Sequence, residues 1–197
     1  MKGYKPTGQA LDSLVAFLNR RLHKNTISRS SIMLTQISDG NQSSYTASDL
    51  RNMEAKNRSH FTSGNTLWTY IQVLDGNYSD SSNQNGKVLG LSYYNTSIAI
   101  FEKAIRSISG GLGGPPRYKV EGTVIDHEFG HLFGLVNNGT PMVQDHQDTA
   151  HGHHCNVKSC LMYYAVETSN TFNNVFNGSI PHIGHYGVAD LQANGGK

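Results

Sequence analysis

The sequence has few charged residues, only two cysteines and no long apolar run. Asp, Glu, Lys and Arg make up 15% of the 197 residues, and the formal net charge of +2 gives no reason to expect a nucleic-acid partner. No stretch approaches the roughly 18 apolar residues of a membrane span, and the N-terminal residues lack the apolar core of a signal peptide. Two cysteines are too few for a disulfide scaffold. We therefore expect a monomeric globular protein with no nucleic-acid partner and no membrane span.

The composition is that of one folded domain. Apolar residues other than glycine make up 37%, and 21 glycines bring the total into the ordinary globular range. A chain of 197 residues is long enough for one hydrophobic core and short for two, so we expect a single catalytic domain over 1–197. The low charge and the abundance of Asn and Ser favour a secreted or cell-envelope protein, with any leader removed.

Helical and strand-like patterns alternate along the chain. The spacing of apolar residues predicts helices over 7–24, from Ser48, from near Tyr118 and over 187–193. Strands are expected over 27–37, 67–74 and 88–94, and in the first half of 98–108, whose second half is expected to be helical. Most of the chain after Gly134 is expected to be loop. This alternation indicates an α/β or α+β fold with a small mixed sheet.

One predicted helix contains the motif HExxH at residues 127–131. Residues four apart lie on the same face of a helix, so His127 and His131 can bind one zinc ion. Glu128 then lies beside the metal, where it can act as the general base toward a zinc-activated water. Zinc lowers the pKa of such a water toward ~7.

Gly134 extends the motif to HExxHxxG, a form in which the glycine turns the chain toward a third ligand. With this residue the sequence resembles the metzincin family of zinc peptidases. The resemblance implies a small metzincin-like zincin of the α/β (α+β) class. Its upper subdomain, about 1–135, would hold a twisted mixed sheet with backing helices, and its lower subdomain, about 136–197, a methionine turn. An extended peptide or protein substrate would bind along the edge strand, in the cleft between them.

The third zinc ligand is displaced relative to the family pattern. Asn137 stands where metzincins have the third ligand, and an asparagine amide is a poor zinc ligand. Further on, residues 154–162 read HCxxxxCxM, which resembles the archaemetzincin branch and makes His154 the third ligand after an insertion of 17 residues (154 minus 137). A long surface insertion costs little because loop-closure entropy grows slowly with length. Other candidates in the insertion are His146, Asp148, His151 and His153.

Two further residues acquire roles from the resemblance. Met162 matches the methionine turn, in which a thioether forms an apolar floor beneath the zinc ligands. Tyr164 follows two residues later, as does the tyrosine that binds the metal or stabilises the oxyanion in the astacin-like and serralysin-like branches. Residues 163–166 would help to form the pocket for the side chain that follows the scissile bond.

A second, structural zinc is one of two alternatives for the cysteines. Archaemetzincins use four cysteines for such a site, whereas this sequence offers two cysteines and a later histidine pair. The resulting Cys₂His₂ set is suitable for tetrahedral zinc and consists of Cys155, Cys160, His182 and His185. The alternative is a disulfide between the two cysteines of an exported protein.

Together these features predict a zinc metallopeptidase, a hydrolase with Glu128 as general base. The competing hypothesis is a zinc-stabilised binding module without catalysis, which would have no use for Glu128. A thermolysin-like arrangement needs a glutamate ligand on a following helix. The nearest later glutamate, Glu167, lies beyond the methionine string in a predicted loop, so this arrangement is disfavoured.

Overall fold

A computed structural model describes residues 1–24, 26–38, 40–79, 86–175 and 178–197. Its helices are α1 (Gly8–Arg21), α2 (Ala47–Asn57), α3 (Glu102–Ile108), α4 (Arg117–Leu132), α5 (Ser169–Val175) and α6 (His185–Ala193). Its strands are β1 (Ser44–Tyr45), β2 (Tyr70–Leu74), β3 (Asn77–Tyr78), β4 (Gly90–Tyr94) and β5 (Ser97–Phe101). The expected mixture of helices and sheet is confirmed.

A three-stranded mixed sheet has the strand order β2-β5-β4. The strand β5 runs parallel to β2 and antiparallel to β4, and all five of its residues are buried because it is the central strand. A separate parallel pair joins β1 and β3. Among the described residues, β4 therefore lies at one edge of the larger sheet.

The two long helices pack against each other and against this sheet. Thr7 caps α1 by accepting a hydrogen bond from the Ala10 amide, and the apolar face of α1 buries Leu14 and Phe17 against the core. Helix α4 packs against α1, α3, β4 and β5, which explains why its residues 120–130 are all buried. No helix in the described ranges is long and apolar enough to cross a membrane.

Two segments differ from the sequence-based expectation. The stretch 27–37 contains a single 3₁₀ turn, Arg29–Ser31, and no strand. Its apolar residues find no partner strand, and Met33 and Leu34 are exposed. Helix α5 lies in a region that was expected to be loop. Its sequence is mostly polar and has no amphipathic pattern, so periodicity could not predict this helix.

Candidate metal centre

The helix α4 brings the first two histidines of the motif together, as predicted. His127 and His131 are one turn apart, and their Nε2 atoms lie 3.2 Å from each other. His127 is fully buried, and burial lowers the pKa of His131 to about 4. The His131 imidazole is therefore neutral at neutral pH, the form that can ligate a metal.

His154 reaches the same place on a hairpin-like loop. An antiparallel bridge joins Gln147 to Cys155, and the Asp148 amide donates to the His154 carbonyl at 2.7 Å. The His154 ring centroid consequently lies 5.3 Å from that of His127 and 5.1 Å from that of His131. Asn137, at the position expected from the family pattern, is exposed. The structure thus groups the predicted His154 with the two helix histidines.

Glu167 is a fourth member of the group. It follows the 3₁₀ turn Tyr164–Val166, and its Oε1 atom lies 3.6 Å from His127 Nε2, 3.4 Å from His131 Nε2 and 2.9 Å from His154 Nε2. Burial opposes ionisation, but the three surrounding imidazoles outweigh it and hold the pKa of Glu167 well below its usual value. The sequence argued against Glu167 as a ligand, whereas the structure brings its carboxylate to the histidines.

The four donor atoms have the spacing of a tetrahedral metal site. Ligand atoms 2.0–2.1 Å from zinc at the tetrahedral angle are about 3.3 Å apart. Four of the six separations run from 2.9 Å to 3.6 Å, and all four atoms lie within 4.8 Å of one another. Three imidazoles and one carboxylate form a donor set that suits zinc. His127, His131, His154 and Glu167 could therefore hold a metal ion.

Hydrogen bonds to the other ring nitrogens set the tautomers that metal binding requires. His127 Nδ1 lies 2.7 Å from the Leu161 carbonyl oxygen, and His154 Nδ1 lies 2.5 Å from the His151 carbonyl oxygen. A carbonyl only accepts, so each Nδ1 carries a proton, which leaves Nε2 as the ring nitrogen that can ligate a metal. His154 Nε2 is buried and, despite its distance to Glu167, makes no aligned hydrogen bond. Metal coordination would satisfy this atom.

Glu128 is buried beside the group and is held by the edge strand. Ser92 Oγ donates to Glu128 Oε2 at 2.8 Å, while Oε1 is buried without a hydrogen-bond partner. Gly90 makes room for the carboxylate, since a Cβ there would lie 2.6 Å from Oε1. Burial and then repulsion from Glu167 raise the pKa of Glu128 well above its usual value. A cation in the group would counter this shift by attraction.

Met162 lies against the helix that carries two of the histidines. Its side chain is buried, and a Cβ at Gly130 would collide with its sulfur atom. The Met162 carbonyl accepts a hydrogen bond from the Cys155 amide at 2.7 Å, next to His154. Met162 therefore packs between the helix and the loop of the third histidine, and its role in a methionine turn stays a prediction.

The remaining candidate ligands have other partners. His146 Nε2 pairs with buried Asp190 at 2.8 Å, and His153 Nδ1 lies 3.2 Å from the Val136 carbonyl oxygen. His151 pairs with Asp148 at 2.7 Å. Its ring also stacks on the ring of Tyr164, with centroids 3.6 Å apart, and the Tyr164 ring also lies against the Tyr163 ring. The oxyanion role of Tyr164 stays a prediction.

The described residues do not assemble the predicted second zinc site. Cys155 and Cys160 are buried free thiols, and a hydrogen bond between them lowers the pKa of Cys160 to about 7. His182 contributes its backbone carbonyl to the Leu161 amide, and the His185 ring packs on Tyr186. Neither histidine forms a metal-binding group with the cysteines in the described part of the chain. Cys155 contacts a different imidazole, that of His146, whose Nδ1 lies 3.4 Å from Cys155 Sγ.

No family model, curated protein or solved structure matches this chain. The relation to metzincins therefore rests on the motif and stays a prediction. Sequence reasoning missed Ser92 and argued against Glu167, two residues of the site. Neither belongs to a motif: Ser92 lies on a strand 36 residues before Glu128. Only the fold brings them to the site.

Proposed function

We propose that this protein is a zinc-dependent metallopeptidase of the metzincin type. One observation carries the proposal. The Nε2 atoms of three histidines lie close together, and Glu128, which follows the first of them on helix α4, has a buried carboxylate oxygen without a hydrogen-bond partner. Three histidines and an adjacent carboxylate are the groups that hydrolysis with a catalytic zinc requires. The relation to metzincins is further supported by Met162 beneath the helix.

The residues divide the chemistry between them. When bound, zinc supplies Lewis acidity that polarises a carbonyl and activates water. Glu128 accepts the proton of the attacking water and transfers it to the leaving amine, so that no covalent intermediate with the protein forms. Ser92 fixes one oxygen of Glu128 and leaves the other available for this proton.

An extended peptide is the substrate that fits this arrangement. The edge strand β4 carries both Gly90 and Ser92, which contact Glu128. A peptide added alongside this strand would gain backbone hydrogen bonds and would run past the general base. The predicted pocket for the side chain after the scissile bond, residues 163–166, directly precedes Glu167 in the chain.

The test compares the purified protein with its Glu128→Gln variant. We expect zinc content to be equal in the two and peptide cleavage to fall by about 10²–10⁴-fold in the variant, because only the proton transfer is lost. Elemental analysis and a mixed peptide library provide the two readouts. Asp145→Asn, which removes an exposed carboxylate, is the control and should cleave normally. Full activity in Glu128→Gln would disprove the mechanism.

A second candidate function is a zinc-stabilised binding module. One observation favours it: Glu167 completes a set of four protein donors, and closed four-ligand sites are typical of structural zinc. Such a module would bind one zinc ion, unfold when the zinc is chelated and cleave no peptide. The two candidates therefore differ in the library assay.

A further inference from the structure

We propose that Glu167 is a displaceable fourth ligand that closes the metal centre at rest and must swing away before a substrate can react. This inference rests on the proposed zinc peptidase. Its basis is that Glu167 Oε1 is the fourth atom of the donor set, 2.9 Å from His154 Nε2 and 3.4 Å from His131 Nε2. A catalytic zinc keeps that position open, whereas here a side chain of the protein fills it.

Among the four donors, Glu167 is the one that can leave. Its side chain is 33% exposed, compared with 0% for His127 and 9% for His154. Both of those imidazoles are also fixed through Nδ1 to backbone carbonyls. The Glu167 carboxylate has described contacts only with the histidines. A rotation of the side chain toward solvent would open the fourth position without moving a histidine.

The backbone of Glu167 can stay in place during this rotation. Its carbonyl accepts from the Leu89 amide at 2.8 Å and its amide donates to the Tyr164 carbonyl at 3.1 Å. The next residue, Thr168, forms an antiparallel bridge with Val88, just before β4 begins. Glu167 is thus anchored at one end of the edge strand, where a peptide bound along β4 would meet it.

The burial of Glu128 indicates that the closed state is a latent, inactive state of an enzyme and not a purely structural zinc site. A structural site with a glutamate ligand gains nothing from a second buried carboxylate, and burying one without full hydrogen bonding costs free energy. Glu128 is nevertheless buried, tied to Ser92, with one oxygen unpaired. A general base held beside a blocked metal is expected if the block is temporary.

The experiment measures zinc affinity and the binding of acetohydroxamate, a small chelator that needs a free coordination position. In Glu167→Gln we expect zinc affinity to fall about tenfold or more, because an anionic ligand is lost. Acetohydroxamate should bind the zinc-loaded variant about tenfold more tightly than the unaltered protein, since it no longer competes with Glu167. These opposite changes cannot both result from damaged folding. The visible spectrum of the cobalt-substituted protein should change as well.

The control is Asp145→Asn, which removes one exposed carboxylate outside the donor group and should change neither affinity. Zinc and acetohydroxamate affinities within twofold of the unaltered protein in Glu167→Gln would overturn the proposal. If Glu167→Gln does not fold, Glu167→Asp serves instead: it keeps the charge but shortens the reach, and the same two shifts are expected.

Peptide cleavage separates this inference from the proposed function. If Glu167→Gln shows both binding shifts but neither protein cleaves any peptide, the peptidase proposal and the latency fail and Glu167 remains a ligand. If both proteins cleave equally and the affinities do not change, Glu167 is no ligand and the peptidase stands. Faster cleavage by Glu167→Gln, together with weaker zinc binding, is the result that we expect.

Discussion

Ser92 Oγ lies 2.8 Å from Glu128 Oε2 and 3.0 Å from the Glu128 carbonyl oxygen, so one hydroxyl on the edge strand contacts both the side chain and the backbone of the proposed general base. Strand β4 and helix α4 are therefore connected at the position of the proposed general base. A substrate bound along β4 would lie next to the residue that fixes Glu128.

Ser92→Ala should lower kcat about tenfold and leave KM nearly unchanged, because Glu128 loses its orientation and no substrate contact is removed. Steady-state kinetics on a peptide found in the library assay would measure the two constants. Ser92→Thr keeps the hydroxyl and should restore most of kcat. An equal loss in both variants would instead indicate a general packing defect.

Gly130→Ala should destabilise the protein by about 1–3 kcal/mol, because the new methyl group overlaps the buried Met162 sulfur. Urea denaturation would measure the loss. Gly122→Ala in the same helix is the matched control: its Cβ meets the terminal methyl of Ile180, which can rotate away, and alanine favours the helix. The double variant Gly130→Ala, Met162→Ala should lose less stability than the sum of the two single variants, because the overlap is gone, and strict additivity would contradict the overlap.

Asp190→Asn should weaken zinc binding about tenfold although Asp190 contacts no donor of the metal. Asp190 on helix α6 pairs with His146 Nε2 and accepts a hydrogen bond from the Val143 amide at 2.6 Å. These two contacts attach the loop that contains His154 to helix α6. Competition with a chromogenic chelator would measure the affinity. Asp148→Asn disrupts a more exposed pair with His151 and should have less effect. Equal affinities in all three proteins would show that the loop needs no such anchor.

Asp126 should make the protein less stable as the pH rises. Its carboxyl group is buried between α4 and α1, and burial raises its pKa to about 8, against the opposing effects of Arg20 and Ser13. The unfolded chain, in which the pKa is near 3.9, releases the proton first, so the free energy of unfolding should fall as the pH rises from about 4 to 8.

The test is urea denaturation at several pH values with the metal chelated. The Asp126→Asn variant cannot ionise at this position. Between about pH 4 and 8 its free energy of unfolding should therefore decrease by several kcal/mol less than that of the unaltered protein, since each pKa unit corresponds to about 1.4 kcal/mol. Asp145→Asn should retain the pH dependence of the unaltered protein. Parallel curves for Asp126→Asn and the unaltered protein would contradict the assignment.

The metal content should be one zinc ion per chain. The described residues contain a single group of histidine and acidic side chains close enough for a metal, and His182 and His185 do not join the cysteines. His182→Ala with His185→Ala should therefore leave the zinc content unchanged, whereas His154→Ala should reduce it strongly. Elemental analysis of the variants measures the zinc content. If the protein binds two zinc ions and the variant with His182→Ala and His185→Ala loses one of them, the Cys₂His₂ hypothesis is restored.

Local patterns predicted the parts of this protein that depend on neighbours in sequence. The helix of residues 127–131 and its paired histidines follow from a spacing of four, and the strand-then-helix order in 98–108 is confirmed by β5 and α3. The prediction of a strand in 27–37 was wrong. A strand forms only when it pairs with another strand, and sequence periodicity does not show whether such a partner exists.

The sequence by itself determined the alternation of helices and strands and a helix with two histidines and a glutamate on it. Tertiary structure decided which distant residues complete the site: His154 on its loop, Glu167 after a 3₁₀ turn and Ser92 on the edge strand. The physical reason is the range of the interactions. Helix geometry is fixed within one turn, whereas the fourth donor and the hydrogen bond to Glu128 depend on how β4, α4 and the segment after Met162 pack together.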